Sequence, residues 1–563
     1  MFKRYNKVIG GLVMFGIDSD LKEYIKLGGF VGLAQINPKA GNLEYNSNKI
    51  IKFIEDAILA EVDMVLFPKN ALMGFEMDDF VNRYPFILEE SQKWLEKIAE
   101  ACTTISALVG FVDTDKKQAF AILRGGRVDK VLKNCEYITS KEFHDGVEFL
   151  IKPIAEVSRC GSQYRREENL KDLALNAKRA VLEINQVGSI DGWSYAGQSL
   201  ACDENGNIFA RAKDFEEQLL LINPFRKMGG KFSPEPEKTP NGFTLDYSWD
   251  LERTYKSIVQ SIRDYFAKCG LKRAVLGLSG GLDSTVCAVL LTDALGKENV
   301  FGVSMPSKLT SDESKSDAEI LAKNLGIGFA EAPIKEMYET TDSCFKNLFN
   351  EVQNTWDCRY KESFTPDNIQ ARSRAMYLFG VANEFASCIP IATSDKSELY
   401  MGYATINGDM SGGFAPIADV TKTKLFALAR WMNENRIEKN AIPESVILKR
   451  PGAELAIDPN TGKTLCAEDA LMPYEFLDEI IWRIENWQES YRELLDAEFV
   501  YENKMNISKE QKQEWLDKFY RRMSFALFKG VIMPPSPIID AHSINKVDYY
   551  QPVTSCNINY QTC

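Results

Sequence analysis

Histidine is nearly missing from this chain, and its cysteines stand apart from one another. Only His144 and His542 occur among 563 residues, which excludes zinc sites built on histidine pairs and most Ser-His-Asp arrangements. The 12 cysteines include no CxxC spacing, and this favours reduced thiols in a cytoplasmic protein over a zinc or disulfide framework. Histidine and disulfide chemistry therefore do not carry the function.

Long apolar runs and an excess of basic residues are missing as well. No run of about 18 apolar residues is present to span a bilayer. The 67 Lys+Arg against 80 Asp+Glu leave a formal net charge of -13, and such a field repels phosphate backbones. The composition predicts a protein that binds neither a membrane nor nucleic acid, and that meets any anionic substrate with local cations.

Strand-like runs alternate with amphipathic helices from about residue 29 to 430, which predicts an α/β fold. Residues 226–245 are rich in glycine, proline and charge and predict a linker. We expect an extension over 1–28, an α/β domain over 29–225, the linker, and a second α/β domain over 246–563 with a helical C-terminal tail. The predicted elements are strands Phe30–Ile36, Met64–Phe67, Ala107–Val112, Ala121–Leu123, Ala180–Asn185, Gln218–Ile222 and Ala274–Leu278, and helix Ser248–Cys269.

The strongest motif follows the strand predicted at Ala274–Leu278. Residues 279–285 read SGGLDST and lead directly into an apolar helix. Paired glycines let the backbone approach an anion closely, and the loop amides and helix N-terminus direct positive dipoles at it. The motif therefore predicts a polyphosphate site, although its spacing is not that of a GxxxxGK[ST] loop. The alternative is a Gly-Ser turn that only caps a core helix.

This loop resembles the SGGxDS loop of the ATP pyrophosphatase superfamily, and the segments after it are similar, in order, to those of NAD synthetases. Residues 368–374 (NIQARSR) resemble that family's NxQARxR helix, although such a helix could also be a solvated face. Residues 391–431 are similar to TGNKSEL…GYAT…GDMAGGFA…DVPKT…LARW. The resemblance implies a doubly wound parallel sheet and Mg²⁺-dependent amidation of deamido-NAD to NAD by ATP, through an adenylated intermediate, with release of AMP and pyrophosphate.

The resemblance also implies roles for individual residues. ATP would be bound by Gly277, Leu278, Ser279, Gly280, Gly281, Leu282, Asp283, Ser284 and Thr393. Deamido-NAD would be bound by Asn368, Arg372, Glu398 and Lys529. Asp283 and Glu398 would bind Mg²⁺, and the expected catalytic set is Asp283, Glu398, Asp409 and Lys422. Joining a carboxylate to ATP brings two anions together, so cations such as Lys422 are needed, and Asp409 is a candidate proton acceptor for ammonium.

Two segments depart from the family pattern. Residues 529–535 resemble KRRQAPP but keep only Lys529 and the prolines, so this lysine could be a surface charge. Gly452 stands where KPPSAEL has a hydroxyl residue, which predicts the loss of one phosphate hydrogen bond. These departures keep a second interpretation open, a nucleotide-binding pseudoenzyme. A tRNA-modifying ATP pyrophosphatase is disfavoured by the acidic balance.

The first domain resembles the nitrilase-like amidase of glutamine-dependent NAD synthetases, through residues 31–38 and 185–188. That family's catalytic set is Glu-Lys-Cys. Here Lys69 stands where the glutamate of FPEL is expected, and Lys133 is the best match for the lysine. The GxxICED segment that carries the cysteine has no counterpart. The amidase residues are therefore predicted to be lost.

With the amidase silent, we expect the ammonia to be free or supplied by a partner, such as a separate glutaminase. The alternative is a glutamine-dependent enzyme with an unrecognised nucleophile, for which Cys135 and Cys160 are the nearest thiols. Cys160 is expected on the strand after the one that carries the nucleophile in the family. The resemblance further implies assembly into a homo-oligomer.

Overall fold

The structure, a computed structural model, forms two compact units, Met1–Glu237 and Lys238–Cys563. It describes residues 8–9, 12–13, 30–75, 78–143, 149–225, 227, 229, 233, 235–356, 363–450 and 467–544. Of the extension expected over 1–28, only strands β1 (Val8–Ile9) and β2 (Leu12–Val13) are described. Gly452 lies outside the described residues. None of the helices in the described part of the chain is long and apolar enough to cross a membrane.

Unit 1 contains a mixed sheet of six strands. The second, third and fourth strands in spatial order are parallel to each other, and every other neighbouring pair is antiparallel. In spatial order these strands are β15 (Gln218–Ile222), β3 (Val31–Gln35), β4 (Met64–Leu66), β5 (Ser106–Val112), β6 (Gln118–Arg124) and β7 (Arg127–Lys133). Helices α1 (Leu43–Leu59), α2 (Asp78–Arg83) and α3 (Phe86–Glu100) accompany it.

A second sheet of unit 1 has five strands. In spatial order they are β14 (Ile208–Arg211), β13 (Leu200–Cys202), β10 (Val181–Ile184), β9 (Leu150–Pro153) and β8 (Ile138–Thr139). Strands β11 (Val187–Ile190) and β12 (Trp193–Ala196) form a hairpin, a short 3₁₀ helix spans Ser140–Glu142, and helix α4 covers Ser162–Ala177.

The apolar clusters of unit 1 define four layers. Ile50 and Ile54 of α1 pack with Ala34 and Val65 on one face of the six-stranded sheet. On its opposite face, β3, β4 and β5 share a cluster with β9 and β10 of the second sheet. Helix α4 covers the outer face of the second sheet through residues such as Leu170. Because successive strand residues point to opposite faces, each sheet serves two clusters, and the layers run helix, sheet, sheet, helix.

Unit 2 is built on a parallel sheet. In spatial order its strands are β18 (Gly328–Glu331), β17 (Val300–Ser304), β16 (Arg273–Gly277) and β19 (Cys388–Pro390). The helices are α5 (Leu251–Cys269), α6 (Leu282–Leu295), α7 (Asp312–Leu325), α8 (Lys335–Gln353), α9 (Thr365–Glu384), α10 (Lys396–Tyr400), α11 (Lys422–Asn435), α12 (Glu444–Leu448), α13 (Ala467–Ala470), α14 (Tyr474–Trp487), α15 (Tyr491–Asp496), α16 (Val500–Met505) and α17 (Lys509–Gly530), with a 3₁₀ turn at Lys297–Asn299.

Helices cover both faces of the parallel sheet. Leu276 of β16 packs in the cluster that contains α5, α6 and α11, whereas its neighbour Val275 packs with Leu378 of α9. The C-terminal helices form a further core around Phe476 and Phe519. This arrangement confirms the predicted α/β class with a doubly wound parallel sheet, and it leaves the carboxyl ends of the strands free to carry a site.

Candidate active site

The residues of unit 2 predicted to bind ATP lie at the carboxyl ends of two neighbouring parallel strands. The loop that contains Ser279, Gly280 and Gly281 follows β16, and Thr393 and Asp395 follow β19, which pairs with β16. In open α/β sheets, ligands bind in the crevice outside these strand ends. Gly277, Leu278, Leu282, Asp283 and Ser284 belong to the same strand, loop and helix start. Thr393 is half-buried on the loop that follows β19.

The loop geometry depends on Gly280. Its φ is +75°, and a Cβ there would lie 2.1 Å from the carbonyl oxygen of Ser314, so no larger residue fits without displacing the backbone. The Gly281 amide donates to Ser279 Oγ at 3.1 Å, and Ser279 Oγ lies 3.1 Å from Ser284 Oγ. The loop thereby presents hydroxyls and amides ahead of the N-terminus of α6, an arrangement that can hold phosphate oxygens.

Lys422, at the start of α11, is the centre of a buried charge cluster. Its Nζ lies 2.6 Å from Asp283 Oδ1, 2.6 Å from Asp395 Oδ2 and 3.0 Å from Glu398 Oε1, while its side chain is only 1% exposed. The ring centroid of Tyr474 lies 5.4 Å from the same Nζ. Three predicted catalytic residues, Asp283, Glu398 and Lys422, therefore meet at one place beside the loop.

Burial and mutual repulsion set the protonation of this cluster. Burial raises the pKa of Asp395 to about 6 even though Lys422 opposes the shift. Burial likewise raises the pKa of Glu398 well above its ordinary value, with Asp395 and Asp283 adding to it against the opposing effect of Lys422. Burial alone would lower the pKa of Lys422, but the three carboxylates together raise it well above its ordinary value. Lys422 is therefore a fixed cation.

The same carboxylates offer the donor set that a divalent cation requires. One oxygen each of Asp283, Asp395 and Glu398 lies within 4.8 Å of the others. Hard oxygen ligands of this kind suit Mg²⁺, and three carboxylates exceed the single charge of Lys422, so the residues present fit a divalent ion. Asp395 was not predicted from the sequence. The feature that could have indicated Asp395 is its position in the SDKSEL motif. There its side chain caps α10 by accepting a hydrogen bond from the Glu398 amide at 2.9 Å.

Three of the four residues predicted to bind deamido-NAD contact the turn at 402–409, whereas the fourth, Glu398, lies in the Lys422 cluster. Thr405 Oγ1 donates to Asn368 Oδ1 at 2.9 Å, and Arg372 Nε donates to the carbonyl of Ile406 at 3.2 Å. Lys529 of α17 donates to the carbonyls of Gly402 and Ala404 at 2.7 and 2.6 Å. Lys529 is therefore a half-buried, hydrogen-bonded residue of this turn and not a free surface charge.

Asp409 closes the same turn. Its carboxylate accepts the Thr405 amide at 2.6 Å, and burial raises its pKa above the ordinary value. Burial lowers the pKa of Lys529, against the effect of the nearby Asp409. The charge cluster and this turn are joined through α10, since the Tyr403 amide donates to the carbonyl of Glu398 at 2.9 Å.

Of the two residues of unit 1 matched to the amidase set, one lines a cavity and the other does not. Lys69 lines a cavity of about 780 Å³, to which Cys135 also contributes. Lys133 does not line it and instead forms ion pairs with Asp113 and, at 3.2 Å, with Asp115. Cys160 lies in a turn before α4, so its expected position on a strand was wrong; the next residue, Gly161, has a φ of +69° and is the N-cap of that helix.

Comparison with known proteins identifies the family. Residues 254–519 match the NAD synthase family. A glutamine-dependent NAD(+) synthetase from Synechocystis is 32% identical over 541 residues, which cover 85% of this chain and 92% of that protein. The chain belongs to the glutamine-dependent NAD synthetase family. Its relative from Thermotoga maritima is likewise 32% identical, over 80% of this chain and 88% of that one.

Solved structures agree with this membership. The glutamine-dependent NAD+ synthetase from Acinetobacter baumannii, in complex with ADP, is 25% identical with a TM-score of 0.65, over 93% of this chain and 98% of that one. The enzyme from Cytophaga hutchinsonii shares the fold with a TM-score of 0.74 at 19% identity, over 93% and 97% of the two chains. The predicted architecture, a nitrilase-like domain followed by an ATP pyrophosphatase domain, is confirmed. The chain is an NAD synthetase, a carbon-nitrogen ligase that uses ATP.

Proposed function

We propose that unit 2 converts deamido-NAD to NAD with ATP at the site formed by the SGGLDS loop and the Lys422 cluster. In the first step a nicotinate carboxylate oxygen attacks the α-phosphorus of ATP and pyrophosphate leaves. In the second, ammonia attacks the acyl carbon and AMP leaves. The observation that carries the proposal is the contact of Lys422 with Asp283, Asp395 and Glu398 beside the phosphate loop.

Each part of the site supports one requirement of this reaction. The loop amides and the Ser279 and Ser284 hydroxyls bind the departing pyrophosphate, and Lys422 provides a cation that needs no solvent reorganisation as charge develops on the phosphates. Asp283, Asp395 and Glu398 would hold Mg²⁺, which when bound neutralises phosphate charge. The sequence analysis expected two Mg²⁺ ligands, Asp283 and Glu398, and this proposal adds Asp395 as a third.

The turn at 402–409 is proposed to bind the nicotinate end of deamido-NAD. Asn368 and Arg372 supply an amide and a cation from α9, and Lys529 supplies a second cation from α17. Asp409 lies on this turn with a raised pKa. A carboxylate of raised basicity is suited to take the proton that ammonium must lose before nitrogen can attack.

The nitrogen donor has two candidates. The curated relatives are described as glutamine-dependent, and they favour the alternative of the sequence analysis, glutamine with an unrecognised nucleophile, over the ammonia-dependent enzyme that was preferred. Cys135 is then the candidate nucleophile, because it is the thiol that lines the cavity of unit 1. Free or partner-supplied ammonia is the second candidate, favoured by Lys69, a cation where the family has its glutamate base.

One assay tests the activity and the donor together. Purified full-length protein is given deamido-NAD, ATP and Mg²⁺ with either ammonium chloride or glutamine, and NAD and AMP are measured. Ammonium-dependent NAD formation supports the proposed chemistry of unit 2. No NAD and no AMP with either donor would instead support a nucleotide-binding pseudoenzyme.

The donor is then decided by cysteine variants. Glutamine-dependent activity that Cys135→Ser abolishes while ammonium-dependent activity remains would support Cys135 as the nucleophile. Cys160→Ser is the matched control, because Cys160 is also half-buried but does not line the cavity. Activity with ammonium alone in the unsubstituted protein would support the second candidate.

A further inference from the structure

A buried tyrosine beside the Lys422 cluster carries an unsatisfied hydroxyl. Tyr474, the first residue of α14, is only 3% exposed. Its Oη has no hydrogen-bond partner in the part of the chain that the structure describes. Buried polar groups are hydrogen-bonded in the great majority of cases, because a buried donor without a partner costs free energy. This hydroxyl therefore points to a ligand that completes its hydrogen bonding.

Tyr474 belongs to the immediate surroundings of the proposed active site. Lys422 Nζ lies 5.4 Å from the centroid of the Tyr474 ring. The three carboxylates that contact Lys422 lie close enough to act on the ionisation of the phenol. None of these four charged groups forms a hydrogen bond with its hydroxyl. The hydroxyl thus borders the charge cluster without being part of it, and its bonding capacity is left for a ligand.

The ring is held in place by packing and not by its hydroxyl. It belongs to the core of the C-terminal helices, which also contains Met401 at the end of α10 and Leu477 of α14. The Tyr474 amide donates to Glu468 Oε1 at 3.3 Å, which fixes the start of α14. A ring fixed in this way brings its hydroxyl to one place before any substrate arrives, which is the preorganisation that phosphate binding requires.

The protonation of the hydroxyl suits an anionic acceptor. Burial raises the pKa of Tyr474 well above its ordinary value, against the opposing effect of Lys422. The phenol therefore keeps its proton and can donate it in a hydrogen bond. A neutral donor beside a buried cation matches an anionic oxygen, and phosphate is the anion that the neighbouring loop is proposed to bind.

We propose that the Tyr474 hydroxyl donates a hydrogen bond to a phosphate oxygen of bound ATP. The assignment rests on the function proposed for unit 2, and it adds a substrate-binding residue from α14 to the phosphate loop and Lys422. Because hydrogen bonds to charged acceptors are stronger than neutral ones, the contact with ATP offsets the penalty that the unsatisfied hydroxyl carries in the free protein. Removing this hydroxyl should therefore affect binding and stability in different ways.

The test compares Tyr474→Phe with Tyr491→Phe in the full-length protein, by isothermal titration with ATP in the presence of Mg²⁺ and by thermal unfolding. Tyr491 is the matched control, because it lies in the same core but its hydroxyl donates to Asp517 Oδ1 at 2.7 Å. Tyr474→Phe should weaken ATP binding by about 10–100-fold and leave the melting temperature unchanged or higher. Tyr491→Phe should show the opposite pattern, a lower melting temperature with unchanged ATP affinity.

Two smaller probes locate the phosphate that accepts the hydrogen bond. Inorganic pyrophosphate and AMP are titrated into the unsubstituted protein and into both variants under the same conditions. A loss of affinity confined to pyrophosphate in Tyr474→Phe would assign the hydroxyl to the departing phosphates. A loss confined to AMP would assign it to the α-phosphate, where the nicotinate carboxylate is proposed to attack.

Three outcomes would overturn the proposal. The first is the absence of ATP binding by the unsubstituted protein. The second is equal ATP affinity in Tyr474→Phe and the unsubstituted protein, as expected for a hydroxyl that meets only water. The third is weaker ATP binding by Tyr474→Phe together with a lower melting temperature, which would show that the hydroxyl supports the fold. Ammonium-dependent NAD formation by the unsubstituted protein tests the function of unit 2 separately, since its absence would contradict that function while ATP affinity still decides the role of Tyr474.

Discussion

The ammonium group of Lys422 lies 2.6 Å from Asp395 Oδ2, and both side chains are almost fully buried. Two further carboxylates, those of Asp283 and Glu398, contact the same lysine. A buried cation with three acidic neighbours is held in place before any substrate arrives. The charge cluster is therefore preorganised for phosphate chemistry.

Replacing Lys422 by methionine should impair both activity and stability. NAD formation should fall by about 10²–10³-fold because a preorganised cation is lost, and the unfolding free energy should fall by about 3–5 kcal/mol because buried carboxylates lose their partner. Lys424→Met is the control, since Lys424 is also buried and pairs with Asp250 at 2.8 Å, two residues further along α11. Rates and urea unfolding are compared; equal rates for the two variants would contradict the assignment.

Gly280→Ala should disrupt ATP binding. Its left-handed backbone disfavours alanine by about 1–2 kcal/mol, and the added Cβ would lie 2.1 Å from the Ser314 carbonyl oxygen. Gly270→Ala separates the two effects, because Gly270 has a φ of +72° with nothing near its Cβ position. The KM for ATP should rise only in the Gly280 variant. A similar KM in both variants would show that the close approach is unimportant.

Asp395→Asn should weaken the use of Mg²⁺ while preserving the local helix start, because asparagine caps helices as well as aspartate does. The Mg²⁺ concentration for half-maximal rate should rise by about tenfold, as expected when one anionic ligand is lost. Asp419→Asn is the control: Asp419 is buried against Lys396 at 3.2 Å and is not one of the three carboxylates that could hold a metal ion. An unchanged Mg²⁺ requirement in Asp395→Asn would remove this residue from the ligand set.

The stability of the protein should depend on pH through Asp478. Burial raises its pKa from 3.8 to about 7 although it accepts hydrogen bonds from Ser397 and Thr423. The folded state therefore holds a proton that the unfolded state releases, so this residue lowers stability as pH rises from about 4 to about 7. Across that range, the titration of Asp478 should lower the unfolding free energy of the unsubstituted protein by on the order of 2–4 kcal/mol, and Asp478→Asn should abolish this decrease.

The measurement for Asp478 is urea unfolding of both proteins from about pH 4 to about pH 8. Glu485, whose pKa burial also raises to about 7, titrates in both proteins and cancels in the difference. The difference in unfolding free energy should grow in favour of the asparagine variant as pH rises. A difference that is constant with pH would contradict the raised pKa.

Strand prediction succeeded where apolar residues were continuous. The strand expected at Gln218–Ile222 is observed with those bounds, and the helix expected at Ser248–Cys269 begins only three residues later, at Leu251. Strand Arg127–Lys133 was not predicted, because its four charged residues face solvent and it pairs with only one neighbour at the sheet edge. An edge strand is held by backbone hydrogen bonds to one neighbour, so its side-chain pattern gives little indication of a strand.

The sequence by itself determined the phosphate loop, because the glycines, hydroxyls and helix start that we propose to bind an anion all lie within a few consecutive residues. Tertiary structure decided which carboxylates share Lys422, since Asp283 is 139 residues from it in the chain, and whether Lys69 and Lys133 lie together. Parallel strands bring their carboxyl ends to one edge irrespective of sequence distance, and buried charges then pair with whatever opposite charge lies within reach. Short motifs determine local chemistry, whereas the cavity of unit 1 that Lys69 and Cys135 line forms only because folding brings separate segments of the chain together.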